Sequence, residues 1–167
     1  GTYTGRGPSE QLLWLPLPDR IPDDDRPRLH RIAGESSRIF TGTVVETEID
    51  DGWDGAPATR VTLRVDRWLK NRSGDTPDEI EILQYGAIVG RWRVEAESEP
   101  IMQLGERYLV FYGQHSIFGG ETVEIPGYAR LLVVDDRLRA VSTLWREHQG
   151  VAELDGKTLA QVEGLIA

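Results

Sequence analysis

Hydrophobic positions along the chain recur mostly at a spacing of two, the signature of strands that bury one face. The strongest segment is residues 104–112, where a Leu-Gly-Glu turn runs into Tyr108-Leu-Val-Phe-Tyr112, five apolar or aromatic residues of high strand preference. With no polar position to offer solvent, this strand is expected to be buried on both sides. From Arg38 onward, Phe40, Gly42 and Val44 fall on one face, and Ile39, Thr41, Thr43 and Val45 on the other. Residues 60–66 alternate strictly, with Val61, Leu63 and Val65 inward. Turn-forming residues 71–77 follow, after which Ile80 and Ile82 alternate with Glu79 and Glu81 and lead to Leu83 and Tyr85, so these two strands are expected to form a hairpin. Residues 91–95 form a weaker alternating piece, 129–134 a further strand closing on Asp135-Asp136, and 138–141 its return. Residues 50–57, rich in Asp and Gly and ending at Pro57, read as a loop. Five or more antiparallel strands result, which makes the chain mainly β.

The ends depart from this period. Asp23, Asp24 and Asp25, then Arg26, Pro27, Leu29, Ile32 and Ala33, read as a short helix with acids at its positive end and Gly34 as its stop. Thr158 and Gln161 form a capping box ahead of an apolar stripe of Leu159, Val162 and Ile166, which marks a short docking helix despite Gly164. Residues 1–22 form an extended apolar arm, with Leu12, Leu13, Trp14, Leu15 and Leu17 interrupted by Pro16 and Pro18, which exclude a central strand position. Residues 23–167 are then the β-domain.

Composition narrows the roles open to this chain. Its 167 residues suit one domain with an extension, and no apolar run approaches the roughly 20 residues that span a bilayer. A net charge of −9 opposes general attraction to phosphate backbones. The absence of cysteine removes disulfides, thiolate catalysis and cysteine-based zinc sites, and it fits more than one compartment. A chain opening at Gly1 rather than Met is expected to be processed or trimmed, and a removed secretion signal would leave no trace.

No motif names a reaction. His30, His115 and His148 are isolated and lack the helical spacing of a zinc pair, and no nucleophile elbow, phosphate loop or dinucleotide fingerprint is present. Glu95, Glu97 and Glu99 lie close in sequence but read as a solvated edge rather than an acid–base pair. Glu48, Asp50, Asp51 and Asp54 cluster without the ligand order of a calcium loop. Neither a catalytic site nor a cofactor or metal is expected. A possible ligand face is the stripe of Arg60, Arg64 and Trp68, with Arg91 and Arg93 flanking Trp92, since aromatic residues among basic ones can stack and neutralise a single strand.

Four segments, residues 39–45 (Ile-Phe-Thr-Gly-Thr-Val-Val), 61–70, 104–111 and 154–159, resemble a group of bacterial exported proteins of mostly unknown role. Their domain is similar in shape to the netrin-like module of tissue metalloproteinase inhibitors. The resemblance implies a closed or partly open five-stranded antiparallel OB-like barrel with short N- and C-terminal helices. Those inhibitors bind the protease zinc through a free N-terminal cysteine, which this chain lacks, so that mechanism does not carry over. The expectation is a non-enzymatic binding or self-assembly module, exported to the bacterial exterior or envelope. Its arm (Leu12, Leu13, Trp14, Leu15, Leu17) would dock on its own barrel or add a strand to a neighbouring subunit. Alternatives are a domain that binds single-stranded nucleic acid or glycan, and an inhibitor-like module without the cysteine–zinc contact.

Overall fold

In the computed structural model, residues 2–4, 12–14, 33–34, 36–53, 56–72, 74–95, 100–114, 122–124, 130–141 and 153–166 are described, apart from some side chains at strand ends. Two short strands come first, β1 (Thr2–Thr4) and β2 (Leu12–Trp14), paired antiparallel with each other. The main sheet contains β3 (Arg38–Trp53), β4 (Ala56–Asn71), β5 (Glu79–Tyr85), β8 (Arg107–Gln114), β9 (Thr122–Glu124), β10 (Arg130–Val134) and β11 (Arg137–Ala140). A separate hairpin joins β6 (Ala87–Val89) to β7 (Trp92–Val94), and one helix, α1 (Leu159–Ile166), follows the sheet. Of the expected N-terminal helix, only Ala33 and Gly34 are described, and both are helical; the rest lies outside the described residues.

The main sheet runs β11-β10-β8-β3-β4-β5, every described pair being antiparallel, with β9 also on β8. The expected hairpin of residues 60–66 with 79–85 is present, with Arg64 opposite Glu79 and Ala58 opposite Tyr85. Extra residues in the β3–β4 ladder, at Val45 on β3 and at Asp66 and Leu69 on β4, break its register. Such bulges bend and twist a strand, and the sheet curls until Cα atoms of β5 come within 8 Å of those of β9. The curl does not close: among the described residues no ladder joins β5 to β9 or β11, and the path holds six strands rather than five. The reason lies in β8, whose second edge is divided between β10 and the three-residue β9, leaving little strand for β5 to meet.

Two apolar clusters lie on opposite faces of the sheet. Ile39, Leu109, Phe111, Leu131 and Leu138 are fully buried on one, beneath Leu154 and Val162. Phe40, Val61, Leu63, Ile82 and Val110 are fully buried on the other, with Val44, Met102 and Tyr108 beside them. The β8 strand is thus buried on both sides, as its uninterrupted apolar run requires. Val65 packs only partly buried against the second cluster. Burying each large apolar side chain contributes about 1.5–3 kcal/mol.

The helix starts as its sequence dictates. The Thr158 N–H donates to Gln161 Oε1 at 2.9 Å, and the Gln161 N–H donates to Thr158 Oγ1 at 3.2 Å. Val162 is buried, while Leu159 and Ile166 lie partly buried on the first cluster. Lys70 Nζ donates to the Ala33 carbonyl, and desolvation, then the Arg72 charge, hold its ammonium below its ordinary range.

Residues 135–136 close the β10–β11 hairpin with φ of 51° and 63°, the two left-handed positions of a type I′ turn. Glycine is preferred at the second of these, so Asp136→Gly is expected to raise stability by about 0.5 kcal/mol, read from the urea midpoint. The Asp136 carbonyl, which accepts the Leu159 N–H at 3.1 Å, is unaffected by that change.

One expectation from the sequence needs correction. Residues 50–57 are not simply a loop: β3 continues to Trp53 and β4 resumes at Ala56, leaving two residues between them. Asp50 pairs across with Ala58 and ion-pairs with Arg60, so cross-strand partners override the local turn preference of Asp and Gly.

Candidate groove beside an open sheet edge

The length of the β3–β4 hairpin creates the site. β8 covers the outer edge of β3 only from Arg38 to Thr43. The last bonds on that edge join Val44 to the next segment: the Val44 N–H donates to the Glu106 carbonyl at 2.9 Å, and the Gly105 N–H to the Val44 carbonyl at 2.9 Å. Beyond this point, among the described residues, no strand pairs with that edge, although Cα atoms of β6 come within 8 Å of β3. Residues 45–49 are all exposed, with Val45 at 38% and Ile49 at 57%.

A groove of about 630 Å³ runs alongside. Thr47, Glu48 and Ile49 line it from β3, Thr59 from β4 and Ile88 from β6. Residues 101–104 form the far wall, where Leu104 is 64% exposed and Met102 is buried. Val89 and Trp92 extend the exposed apolar surface along the β6–β7 hairpin.

The far wall has no ladder of its own and is held by side chains. Gln84, 3% exposed, donates from Nε2 to the Pro100 carbonyl at 2.8 Å and accepts the Met102 N–H on Oε1 at 2.9 Å. The Arg130 guanidinium also donates to the Pro100 carbonyl, at 2.9 Å, and lies 5.0 Å from the Tyr108 ring centre. The Ile101 N–H donates to Glu95 Oε2 at 3.0 Å, and the Gln103 N–H to Glu106 Oε1 at 2.7 Å. On the opposite side, Gly86 turns the chain from β5 into β6; its N–H donates to the Pro57 carbonyl at 2.9 Å, and its carbonyl accepts the Thr59 hydroxyl at 2.7 Å. The groove is therefore pre-organised, with fixed walls and one open strand edge.

The side chains singled out by sequence are scattered around this feature. Arg60 is bonded to Glu81 at 2.6 Å and to Asp50, and hydrogen bonds first to Glu81, then to Asp50, hold its guanidinium above its ordinary range. Arg64 lies 3.4 Å from Asp66. Trp68 is half-buried against Phe40, ring centres 5.5 Å apart, with the Arg38 guanidinium over it. Arg91, Trp92 and Arg93 sit on the β6–β7 hairpin, where Trp92 is 48% exposed and Arg93 faces Glu95 at 3.9 Å. Trp68 lies on β4 of the main sheet and Trp92 on β7 of the separate hairpin. Leu12, Leu13 and Trp14 form β2, whose Cα atoms come within 8 Å of β7; Leu15 and Leu17 lie outside the described residues. So do the three histidines, Glu97 and Glu99. Of the acids between Glu48 and Asp54, Asp50 is engaged by Arg60, and no group of three His, Cys, Asp or Glu that could hold a metal occurs among the described residues.

Sequence reasoning overlooked Ile49, Ile88, Leu104 and Gln84. For Gln84 a signal existed: it continues the inward positions Ile80 and Ile82, and a polar residue at a buried position must find partners. The other three come together only through the fold. No protein-family model and no curated protein sequence matches the chain, so the reading of the groove rests on its own geometry.

Proposed function

We propose that the protein is a non-catalytic binding module that receives an extended segment of a protein partner as an added strand on β3, its alternate side chains entering the groove. The carrying observation is the open edge of residues 45–49 beside a pre-organised apolar groove. Unpaired backbone groups on an edge strand are a template for another strand, and pockets along it sort side chains. The curled antiparallel sheet, with β5 approaching β9, is compatible with a partly open OB-like barrel, and the resemblance in sequence favours an exported protein. The N-terminal arm is read as docking on its own domain, which is supported for Leu12, Leu13 and Trp14 by β2 pairing with β1 and running near β7. Nucleic acid or glycan binding has less support, because Arg60 and Arg64 are already matched by acids.

A short neutral peptide of alternating Ser and Val, followed by fluorescence anisotropy with the full chain, tests this reading. It is expected to bind, and to lose binding when alternate amides on one edge are N-methylated, since the side chains stay while the ladder is lost. Ile49→Asp is expected to weaken it at least about tenfold by placing a charge in an apolar contact. Equal binding of the N-methylated peptide, or no binding at all, would sink the reading.

A further inference from the structure

The open edge carries unmatched charge of one sign. Glu46 and Glu48 are exposed and two residues apart, so they alternate with Thr47 and Ile49 along β3, and Glu48 borders the groove together with those two. Neither glutamate takes part in an ion pair among the described residues. Arg60, directly across from Glu48, is bonded instead to Asp50 and Glu81. Among the described residues no side chain of β4 forms an ion pair with either glutamate.

Resting on the strand-addition reading, we infer that the segment received is basic: a strand that alternates Lys or Arg with aliphatic residues. Its cations would face Glu46 and Glu48, and its apolar positions would meet Ile49, Ile88 and Leu104. Opposite charges directly across a strand pair stabilise it and like charges destabilise it. The same rule argues against a second copy of β3 as the occupant. Two such edges laid antiparallel about Thr47 would set Glu46 of each against Glu48 of the other, doubling the conflict by symmetry. The overall charge of −9 also draws a cationic segment toward the molecule before contact.

Three labelled peptides separate the outcomes: alternating Lys-Val, Ser-Val and Glu-Val, each measured by anisotropy against the full chain at low and high salt. Lys-Val is expected to bind about fivefold tighter than Ser-Val at low salt, with the advantage shrinking at high salt as exposed pairs are screened. The double substitution Glu46→Gln, Glu48→Gln removes both charges and is expected to erase that advantage, so that Lys-Val and Ser-Val bind the variant equally. Glu46→Lys with Glu48→Lys is expected to transfer the preference to Glu-Val. Equal binding of all three peptides would overturn the inference and leave strand addition standing. Failure of all three would overturn both. Lys-Val binding that survives N-methylation would reveal charge attraction without a ladder and would also overturn it. So would a dimer in sedimentation velocity that Ile49→Asp abolishes, because the edge would then belong to a second copy.

Discussion

Replacing Gly86 with alanine is expected to destabilise the protein by about 3 kcal/mol and to displace the β6–β7 hairpin from its place over the groove. Two effects combine. Gly86 has φ of 96°, a conformation that L side chains rarely adopt. A Cβ there would also lie 2.3 Å from the Val94 carbonyl oxygen and 3.0 Å from the Glu95 Cα, so main chain rather than a flexible side chain must move. The contacts Gly86 makes with Pro57 and Thr59 fix where β6 begins, and shifting them moves Ile88. Gly90→Ala is the internal control. Its φ of 59° is also positive but nothing lies within 4 Å of the added carbon, so the cost should be confined to about 1 kcal/mol. Urea denaturation measures both, and hydrogen exchange should show protection lost across residues 87–94 in the Gly86 variant alone. Equal losses in the two variants would mean that the close approach to Val94 is unimportant.

Gln84→Leu is the second large effect, expected to cost about 2–4 kcal/mol although it places an apolar residue in an apolar core. The Pro100 carbonyl keeps Arg130 as a donor, but the Met102 N–H loses its acceptor at a buried position. An unsatisfied buried donor costs about 1–3 kcal/mol, and the lost bonds add about 1 kcal/mol. The far wall then has less to hold it, so peptide binding should weaken more than Gln103→Ala weakens it, since the Gln103 side chain is exposed. Unchanged stability and binding in Gln84→Leu would show that the wall is held by packing rather than by this amide.

Much of the scaffold could be read from the order of residues. The doubly buried run of β8, the strict alternation around Val61 and Leu63, and the Thr158–Gln161 capping box are local patterns with local causes, and each is found where it was expected. Asp135-Asp136 marks a turn for the same reason. Extent was harder to read. Residues 50–57 carry turn chemistry, yet the β3–β4 pairing extends to Trp53 and Ala56, a decision made by partners on another strand. Whether the sheet closes or stays open could not be read from the sequence either, because the division of the β8 edge between β9 and β10 has no local signature. The groove was the least legible part. Ile49, Ile88 and Leu104 are distant in sequence, and singly an exposed aliphatic residue means little. The arginine stripe drew attention because charge is conspicuous in a sequence, while the acids that match Arg60, Asp50 on β3 and Glu81 on β5, become evident only once the strands are paired.

The two-sided burial of β8 has a further consequence. Leu109 and Phe111 belong to one cluster and Tyr108 and Val110 to the other, so a single strand serves as the common wall of two interiors. No cut through the molecule leaves one interior whole: stripping either away bares half of β8 to water. The helix end and the groove end are therefore expected to melt as one unit, so that damage under α1 would be felt at the open edge of β3.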